Sequence, residues 1–447
     1  MENRYEKYKD SGIAWIGEIP EHWVMGRIKN IIHTYKAGPF GSSLITSNLN
    51  NIGKYLIYTP EHIAANTTNL ESNLYLPDYR INEMGQFEIG KGDIVFPIVG
   101  TLGRAMQITS DMPNGIINQR LSKFRLFENI ICSNYFMWIF GKSDFYKIYI
   151  DMNSRGSFIL NLTKLIIGNM PIMLPSLPEQ QSIATYLDQK CGEIDELITL
   201  QEEMITKLQS YKQSVITEAV TKGWDKNVPL KDSGIEWIGK IPEHWKVKRL
   251  KFSCNVFGRI GFRGYKSDDL VSEGNGAITL SPSNMKDMKM DYTNRTYLSW
   301  KKYYESPEIM ISKNDILMVK TGSTYGKCSF VDDIPMECTI NPQIVVFKQH
   351  KDYPKFLAYS FQTKATRAFV ETSVVGGTIP TIAQEKIMNY FFAFPPLSEQ
   401  QSIANYLDQK CSEIDELISI KQQKIEKLKD YKKSLIFECV TGKRKVS

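Results

Sequence analysis

The sequence nearly contains itself twice. EQQSIATYLDQKCGEIDELI (residues 179–198) returns as EQQSIANYLDQKCSEIDELI (399–418), changed only at Thr185/Asn405 and Gly192/Ser412. KDSGIAWIGEIPEHW (9–23) returns as KDSGIEWIGKIPEHW (231–245), changed only at Ala14/Glu236 and Glu18/Lys240. The two offsets, 220 and 222 residues, nearly agree. A period this long marks tandem duplication of whole domains rather than a solenoid. Any fold of this chain therefore has to build one scaffold twice, and 447 residues leave each copy enough chain for its own core.

Each copy reads as a short aromatic segment, a variable region and a repeated tail. The expected parts are a conserved segment (1–23), a first variable domain (24–170), a first spacer helix (171–222), a linker with the repeated segment (223–245), a second variable domain (246–390) and a second spacer helix with the tail (391–447). The variable regions share a faint skeleton. KGDIVFPIVGTLGRA matches KNDILMVKTGSTYGKC, IINQRLSKFRL matches TINPQIVVFKQ, and GSFILNLTKLIIGNM matches GGTIPTIAQEKIMNY. Short β-branched and aromatic runs broken by Gly, Pro and Asn read as strands and turns. CSNYFMWIFGKSDFYKIYI and DYPKFLAYSFQTKATRAFV have the length and apolar density of buried helices. The expected fold class is α+β, with two strand-rich domains and two long helices.

The tails carry the helical signal. Ser176 with Glu179, and Ser398 with Gln401, fit capping boxes, while Gly223 and Gly442 fit helix stops. Leu187, Cys191, Ile194, Ile198, Ile205, Leu208 and Val215 follow an alternating four-three spacing completed by Gln201 and Lys212. Leu407, Cys411, Ile414, Ile418, Ile425, Leu428 and Leu435 repeat it. This is a heptad seam, which Leu197, Met204, Tyr211, Leu417 and Tyr431 are expected to widen into a broader packed face. Each helix would be about 60 Å long at about 1.5 Å per residue.

Charge suggests how such helices pair. The second is acidic early (Asp408, Glu413, Asp415, Glu416) and basic late (Lys421, Lys424, Lys427, Lys429, Lys432, Lys433), and the first begins acidic (Asp188, Glu193, Asp195, Glu196). Antiparallel pairing sets late lysines beside early acids, whereas parallel pairing sets acid beside acid. The alternative is that these charges are solvated helix faces. Antiparallel helices of near-identical sequence imply an approximate two-fold axis, which puts residues 5–23 near the end of the second helix, as residues 231–245 follow the first.

Composition excludes little but narrows the setting. A net charge of +6 is compatible with a polyanionic partner but does not establish one, since a mildly basic solvated surface carries the same excess. No stretch reaches the roughly 18 apolar residues of a membrane span, and MENRYEKYKDSG does not resemble a secretory signal. The seven cysteines form no CxxC pair, which argues against a disulfide framework or zinc site, and no metal is expected. A cytoplasmic protein without membrane partners is the expectation.

Signs of catalysis are sparse. Gly322-Ser-Thr-Tyr-Gly-Lys-Cys328 has one residue too few between its glycines for a phosphate loop, and Cys where Ser or Thr belongs, so it reads as a strand-to-strand turn. Asn341-Pro342-Gln343-Ile344 departs from the NPP-aromatic motif of amino-methyltransferases in both last positions. His22 and His244 recur beside Trp15, Trp23, Trp237 and Trp245, which read as packing anchors. No HExxH or GxSxG is present, and no catalytic residue is assigned.

Reading double-stranded DNA needs cations for phosphates and forked polar side chains for base edges. In the first domain the candidates are Lys36 and the glycine turn with Ser42 and Ser43, Arg104, the triplet Asn118-Gln119-Arg120, and Arg155. Matching places in the second hold Arg259, Arg263 and Lys266, then Lys320, Ser323, Tyr325 and Lys327, then Asn341 and Gln343, then Arg367. Each alone could be a solvated loop residue; recurrence at corresponding turns is the signal.

The paired motifs KDSGIxWIGxIPEHW, the LPSLPEQQ and PPLSEQQ entries, and IAxYLDQKCxEIDELI resemble the specificity subunit of type I restriction–modification systems, over essentially the whole chain. The resemblance implies two target recognition domains, each reading half of a split asymmetric DNA sequence, separated by two spacer helices. It implies a non-catalytic chain without cofactor of its own. Two modification subunits using S-adenosylmethionine, and restriction subunits using ATP and Mg, would be its partners. Two other readings stay open: a self-contained methyltransferase or nuclease with an unseen active site, and a coiled-coil scaffold.

Overall fold

The computed structural model describes residues 4–39, 44, 49–99, 103–153, 162–225, 227–375 and 380–446. The chain forms two compact units, one of residues 1–201 with 423–447 and the other of residues 202–422. The division falls inside the two long helices, Leu177–Lys222 and Leu397–Val440, so each unit owns one half of each.

In unit 1 the strands Ile32–Ala37, Leu121–Leu126, Ile94–Pro97 and Met106–Gln107 form an antiparallel sheet in that order. A second sheet orders Tyr75–Leu76, Tyr55–Tyr58, Gly115–Ile117 and Glu88–Ile89, with its central pair parallel. Unit 2 repeats both. Asn255–Gly258, Ile344–Lys348, Ile316–Val319 and Cys328–Phe330 make the antiparallel sheet. Leu270–Val271, Tyr297–Ser299, Gly276–Leu280 and Cys338–Ile340 make the other, again with one parallel pair.

The apolar runs IVFP and ILMV are explained by these layers. Successive residues of a strand face opposite sides. Ile94 and Phe96 enter the core shared with the helices while Val95 enters the core of the second sheet. Ile316 and Met318 divide from Leu317 and Val319 in the same way. A strand buried on both faces loses the polar alternation of a half-exposed one. Asp93 and Asp315 fix the turn that leads into each run. Each carboxylate accepts a backbone N–H, from Gly90 at 3.0 Å and Ser312 at 2.8 Å, and each pairs with a sheet lysine, Lys123 at 2.9 Å and Lys348 at 2.6 Å.

The expected buried helices are each broken in two. Ser133–Phe140 is followed by Lys147–Asn153 after Gly141, and Pro354–Phe361 by Lys364–Thr372 after Gln362. Six residues of Ser133–Phe140 and six of Pro354–Phe361 are buried.

Within each unit the long-helix halves run antiparallel. Lys432 pairs with Asp195 at 2.6 Å in unit 1, and Lys212 with Asp415 at 2.6 Å in unit 2. Of the seam residues, Leu187, Cys191, Ile194, Ile425 and Leu435 are buried in unit 1, with Ile198 and Leu428 half-buried. In unit 2, Val215, Leu407, Cys411 and Ile414 are buried, and Ile205, Leu208 and Ile418 half-buried. The seam is narrower than expected: Leu197, Met204, Tyr211, Leu417 and Tyr431 are all exposed. Two antiparallel helices bury only the facing stripe of each, and among the described residues no third element covers that flank.

Both helices stop at left-handed glycines, Gly223 at φ +76° and Gly442 at φ +70°. A Cβ on Gly442 would fall 2.3 Å from Cδ of Pro20, so the repeated amino-terminal segment closes on the end of the second helix. Tyr8 Oη donates to Gly442 O at 3.1 Å and Lys443 Nζ to Ile16 O at 2.6 Å, as the duplication required.

The capping boxes are corrected. The second helix starts at Leu397, ahead of Ser398, so Ser398 and Gln401 lie inside it. In the first, the Glu179 carboxylate is taken by distant donors: Tyr5 Oη at 2.5 Å, Trp23 Nε1 at 3.0 Å and His22 Nε2 at 3.2 Å. Glu399 likewise accepts from Trp245 Nε1 at 3.1 Å and meets His244 Nε2 at 2.8 Å. The repeated Glu, His and Trp therefore clamp the aromatic segment to the start of a long helix.

Candidate nucleic-acid interface

The turns at one end of each antiparallel sheet share a backbone ladder. In unit 1 the Ile98 N–H donates to Arg120 O at 2.9 Å, and the Leu162 N–H to Ile98 O at 2.8 Å. In unit 2 the Lys320 N–H donates to Gln343 O at 2.8 Å, and the Ile382 N–H to Lys320 O at 2.9 Å. An Asx turn precedes each: Asn118 Oδ1 accepts the Arg120 N–H, and Asn341 Oδ1 the Gln343 N–H, both at 3.0 Å. The backbone is thus held constant while Ile98, Gln119 and Arg120 are exchanged for Lys320, Pro342 and Gln343.

The rim of unit 1 exposes Gln119 and Arg120, with Asn118 half-buried. Gly38 is required beside it, because a Cβ there would fall 1.9 Å from Asn118 O. Lys36 points elsewhere, its Nζ donating to Gln86 Oε1 at 2.5 Å and lying 5.2 Å over the Phe87 ring. Arg104 is exposed on the turn after Gly103, where it lines a cavity beside the long helices. Ser42, Ser43 and Arg155 lie outside the described residues.

In unit 2 the rim gathers Lys320, Gln343 and Asn341, whose Nδ2 donates to Gln343 Oε1 at 3.1 Å. Partial burial lowers the Lys320 pKa below the usual lysine value. Ser323 stands exposed on the neighbouring turn, while Tyr325 and Lys327 are half-buried there. That turn is a hairpin, closed by Tyr325 N–H to Gly322 O at 3.1 Å and Gly326 N–H to Val319 O at 2.8 Å, and it leads into a strand. A phosphate loop would lead into a helix.

The other four second-unit candidates stand off these turns, on the segment 259–266 and the helix Lys364–Thr372. Arg259 is a correction: it is buried, donating to Ile340 O at 3.2 Å and Thr339 Oγ1 at 3.1 Å, with its guanidinium 5.2 Å over Tyr265. Its guanidinium is committed to partners inside the domain rather than offered at the surface. Arg263 pairs with Glu308 at 3.2 Å. Lys266 is exposed beyond that loop, and Arg367 sits on the helix Lys364–Thr372, 3.8 Å from Glu371.

Two rim residues were missed from sequence. Gln384 begins the short helix Gln384–Met388, and a Cβ on Gly258 would lie 2.6 Å from its Nε2 and 3.5 Å from Lys320 Nζ. Its counterpart Lys164 opens Lys164–Gly168 and lies 5.6 Å over the Tyr35 ring. The match of LTKLII to IAQEKI held the signal, a polar residue at the first turn of a short helix in both copies. Among the described residues no group of three or more His, Cys, Asp or Glu side chains could hold a metal ion, and no helix is long and apolar enough to cross a membrane.

A family model for the type I restriction modification DNA specificity domain matches twice, over residues 20–209 and 242–430. The chain belongs to that family. The specificity subunit is 25% identical over 438 residues to the putative type I restriction enzyme MjaX specificity subunit of Methanocaldococcus jannaschii, covering 96% of both chains. It is 21% identical over 366 residues to the EcoBI specificity subunit of Escherichia coli, covering 79% of this chain and 75% of that one. The fold matches a chain of the structure described as "Structural basis underlying complex assembly and conformational transition of the type I R-M system" at TM-score 0.73 and 17% identity, over 95% of this chain and 99% of that chain. The HsdS subunit from Thermoanaerobacter tengcongensis matches at TM-score 0.54 and 17% identity, over 95% and 98%. The chain is thus a DNA specificity subunit of a type I restriction–modification system, with two recognition domains on one scaffold.

Proposed function

We propose that this specificity subunit reads a bipartite double-stranded DNA target, one half through each unit, and performs no chemistry itself. The observation that carries this is the shared ladder: one backbone geometry presents Gln119 and Arg120 in unit 1 but Lys320, Gln343 and Gln384 in unit 2. Amide forks discriminate base edges and cations hold phosphates, so exchanging them on a fixed backbone exchanges the sequence read.

Two modification subunits dock on the long helices. The stripe the helix pair leaves uncovered supports this, since each unit exposes the same apolar set: Leu197, Leu200 and Tyr431 in unit 1, and Leu417, Ile420 and Tyr211 in unit 2. A repeated apolar stripe on a soluble helix pair suits two identical partners. S-adenosylmethionine belongs to those partners, and ATP and Mg to restriction subunits that join them. The chain alone, incubated with labelled S-adenosylmethionine and DNA, transfers no methyl group until modification subunits are added. Robust transfer by the chain alone overturns the reading.

A further inference from the structure

Unit 1 holds a cavity of about 650 Å³ between the helix Lys147–Asn153, the preceding loop and the long-helix pair. Pockets of about 300–1,000 Å³ accommodate small organic ligands. One wall is aromatic: Phe145 meets Trp15 edge-on at 4.7 Å and Phe437 at 6.2 Å, and Ile148 extends the apolar surface. The rim is cationic, with Arg104, Lys142, Lys429, Lys432 and Lys433 against Asp144 and Asp195. Lys432 is neutralised by Asp195 at 2.6 Å, Lys142 by Asp188 at 2.9 Å and Lys429 by Glu426 at 3.1 Å. That leaves Arg104 and Lys433, and the carboxylate of Asp144, without an ion pair among the described residues.

Unit 2 does not repeat this arrangement. Lys429, Lys433 and Phe437 correspond to Gln209, Gln213 and Thr217. Gln213 Nε2 donates to Gln362 O at 2.7 Å, Thr217 bonds back to Gln213 O at 2.8 Å, and Trp237 stacks on Phe369 at 5.1 Å. Tracking DNA and docking modification subunits are tasks both units share, so a feature confined to one serves neither.

We propose that this cavity binds an anion carrying a flat aromatic ring, of mononucleotide size, with the ring on the Trp15–Phe145–Phe437 wall and the phosphate between Arg104 and Lys433. Aromatic walls hold nucleobases by stacking, and an arginine fork with a lysine suits a phosphate. Neither a bare phosphate nor a duplex backbone uses the wall.

Calorimetric titration of the full chain with AMP tests this, with adenosine and inorganic phosphate as separate probes. AMP binds one saturable site and quenches tryptophan emission, and each fragment binds more weakly. Lys433→Gln or Arg104→Gln weakens AMP about tenfold or more at unchanged melting temperature, while Gln209→Ala, at the matched place in unit 2, changes nothing. Absence of saturable AMP binding, binding indifferent to both substitutions, or displacement of AMP by any non-specific duplex would each overturn the assignment.

Discussion

The clamp between the aromatic segment and the long helix makes an unequal pair of predictions. Glu179→Ala removes three partners: Tyr5 Oη at 2.5 Å, Trp23 Nε1 at 3.0 Å and His22 Nε2 at 3.2 Å. Trp23 is fully buried, so its orphaned indole N–H costs about 1–3 kcal/mol, and losing the Tyr5 bond to a carboxylate adds about 1.5–3 kcal/mol. Among the described residues Glu399→Ala strands only Trp245 and His244, because Asn227 stands where Tyr5 stands in the first copy. Glu179→Ala is therefore expected to destabilise its unit by about 1.5–3 kcal/mol more than Glu399→Ala destabilises the other. Native-state hydrogen exchange of peptides covering residues 13–23 and 235–245 reads the two sites separately. Tyr5→Phe should cost about 1.5–3 kcal/mol alone and much less in the Glu179→Ala background, since both remove the same bond. Equal losses at Glu179 and Glu399, or full additivity with Tyr5→Phe, would refute the reasoning.

Other outcomes follow from single residues. Burial pushes the His350 pKa down to about 4, with Nε2 donating to Phe347 O at 3.0 Å, so the unfolded chain binds the proton more readily than the folded one. Unit 2 should lose up to about 3 kcal/mol as pH falls from about 6.5 to about 4, and His350→Gln should flatten that slope in urea titrations across pH. Lys320→Ala and Gln343→Ala should each weaken binding of the cognate half-site by about 1–3 kcal/mol in competition assays, leaving the other half-site's sequence requirement unchanged. Inserting four residues after Gln201 lengthens the first helix by about 6 Å, close to two base-pair steps. Methylation maps should then show a changed gap in the target, and an unchanged gap would count against the helices as a ruler.

What the sequence made legible was whatever periodicity and duplication encode. The repeated motifs located two copies of one scaffold, the four-three spacing located both helices, and Gly223 and Gly442 marked their stops. The Gly322–Lys327 turn was readable because its glycine spacing is wrong for phosphate. Long-range partners were not readable. Glu179 looks like a local cap, and only folding brings Tyr5 and Trp23 to it across more than 150 positions. Leu197 and Tyr431 fit a packed face by spacing, yet spacing does not say how many neighbours a helix pair has. Arg259 looks like a solvated loop cation because nothing local shows that Ile340 O and Thr339 await it. The polar residues that open the short helices, Lys164 and Gln384, lacked any motif to raise them above their surroundings.

The most direct test of the central claim is domain exchange read by methylation. Residues 24–170 are replaced by the corresponding domain of another specificity subunit, and methylated adenines are mapped across the genome of cells carrying the chimera with its modification partners. One half of the recognised sequence should change while the other half and the gap stay fixed. A change in both halves, or in neither, would contradict the account.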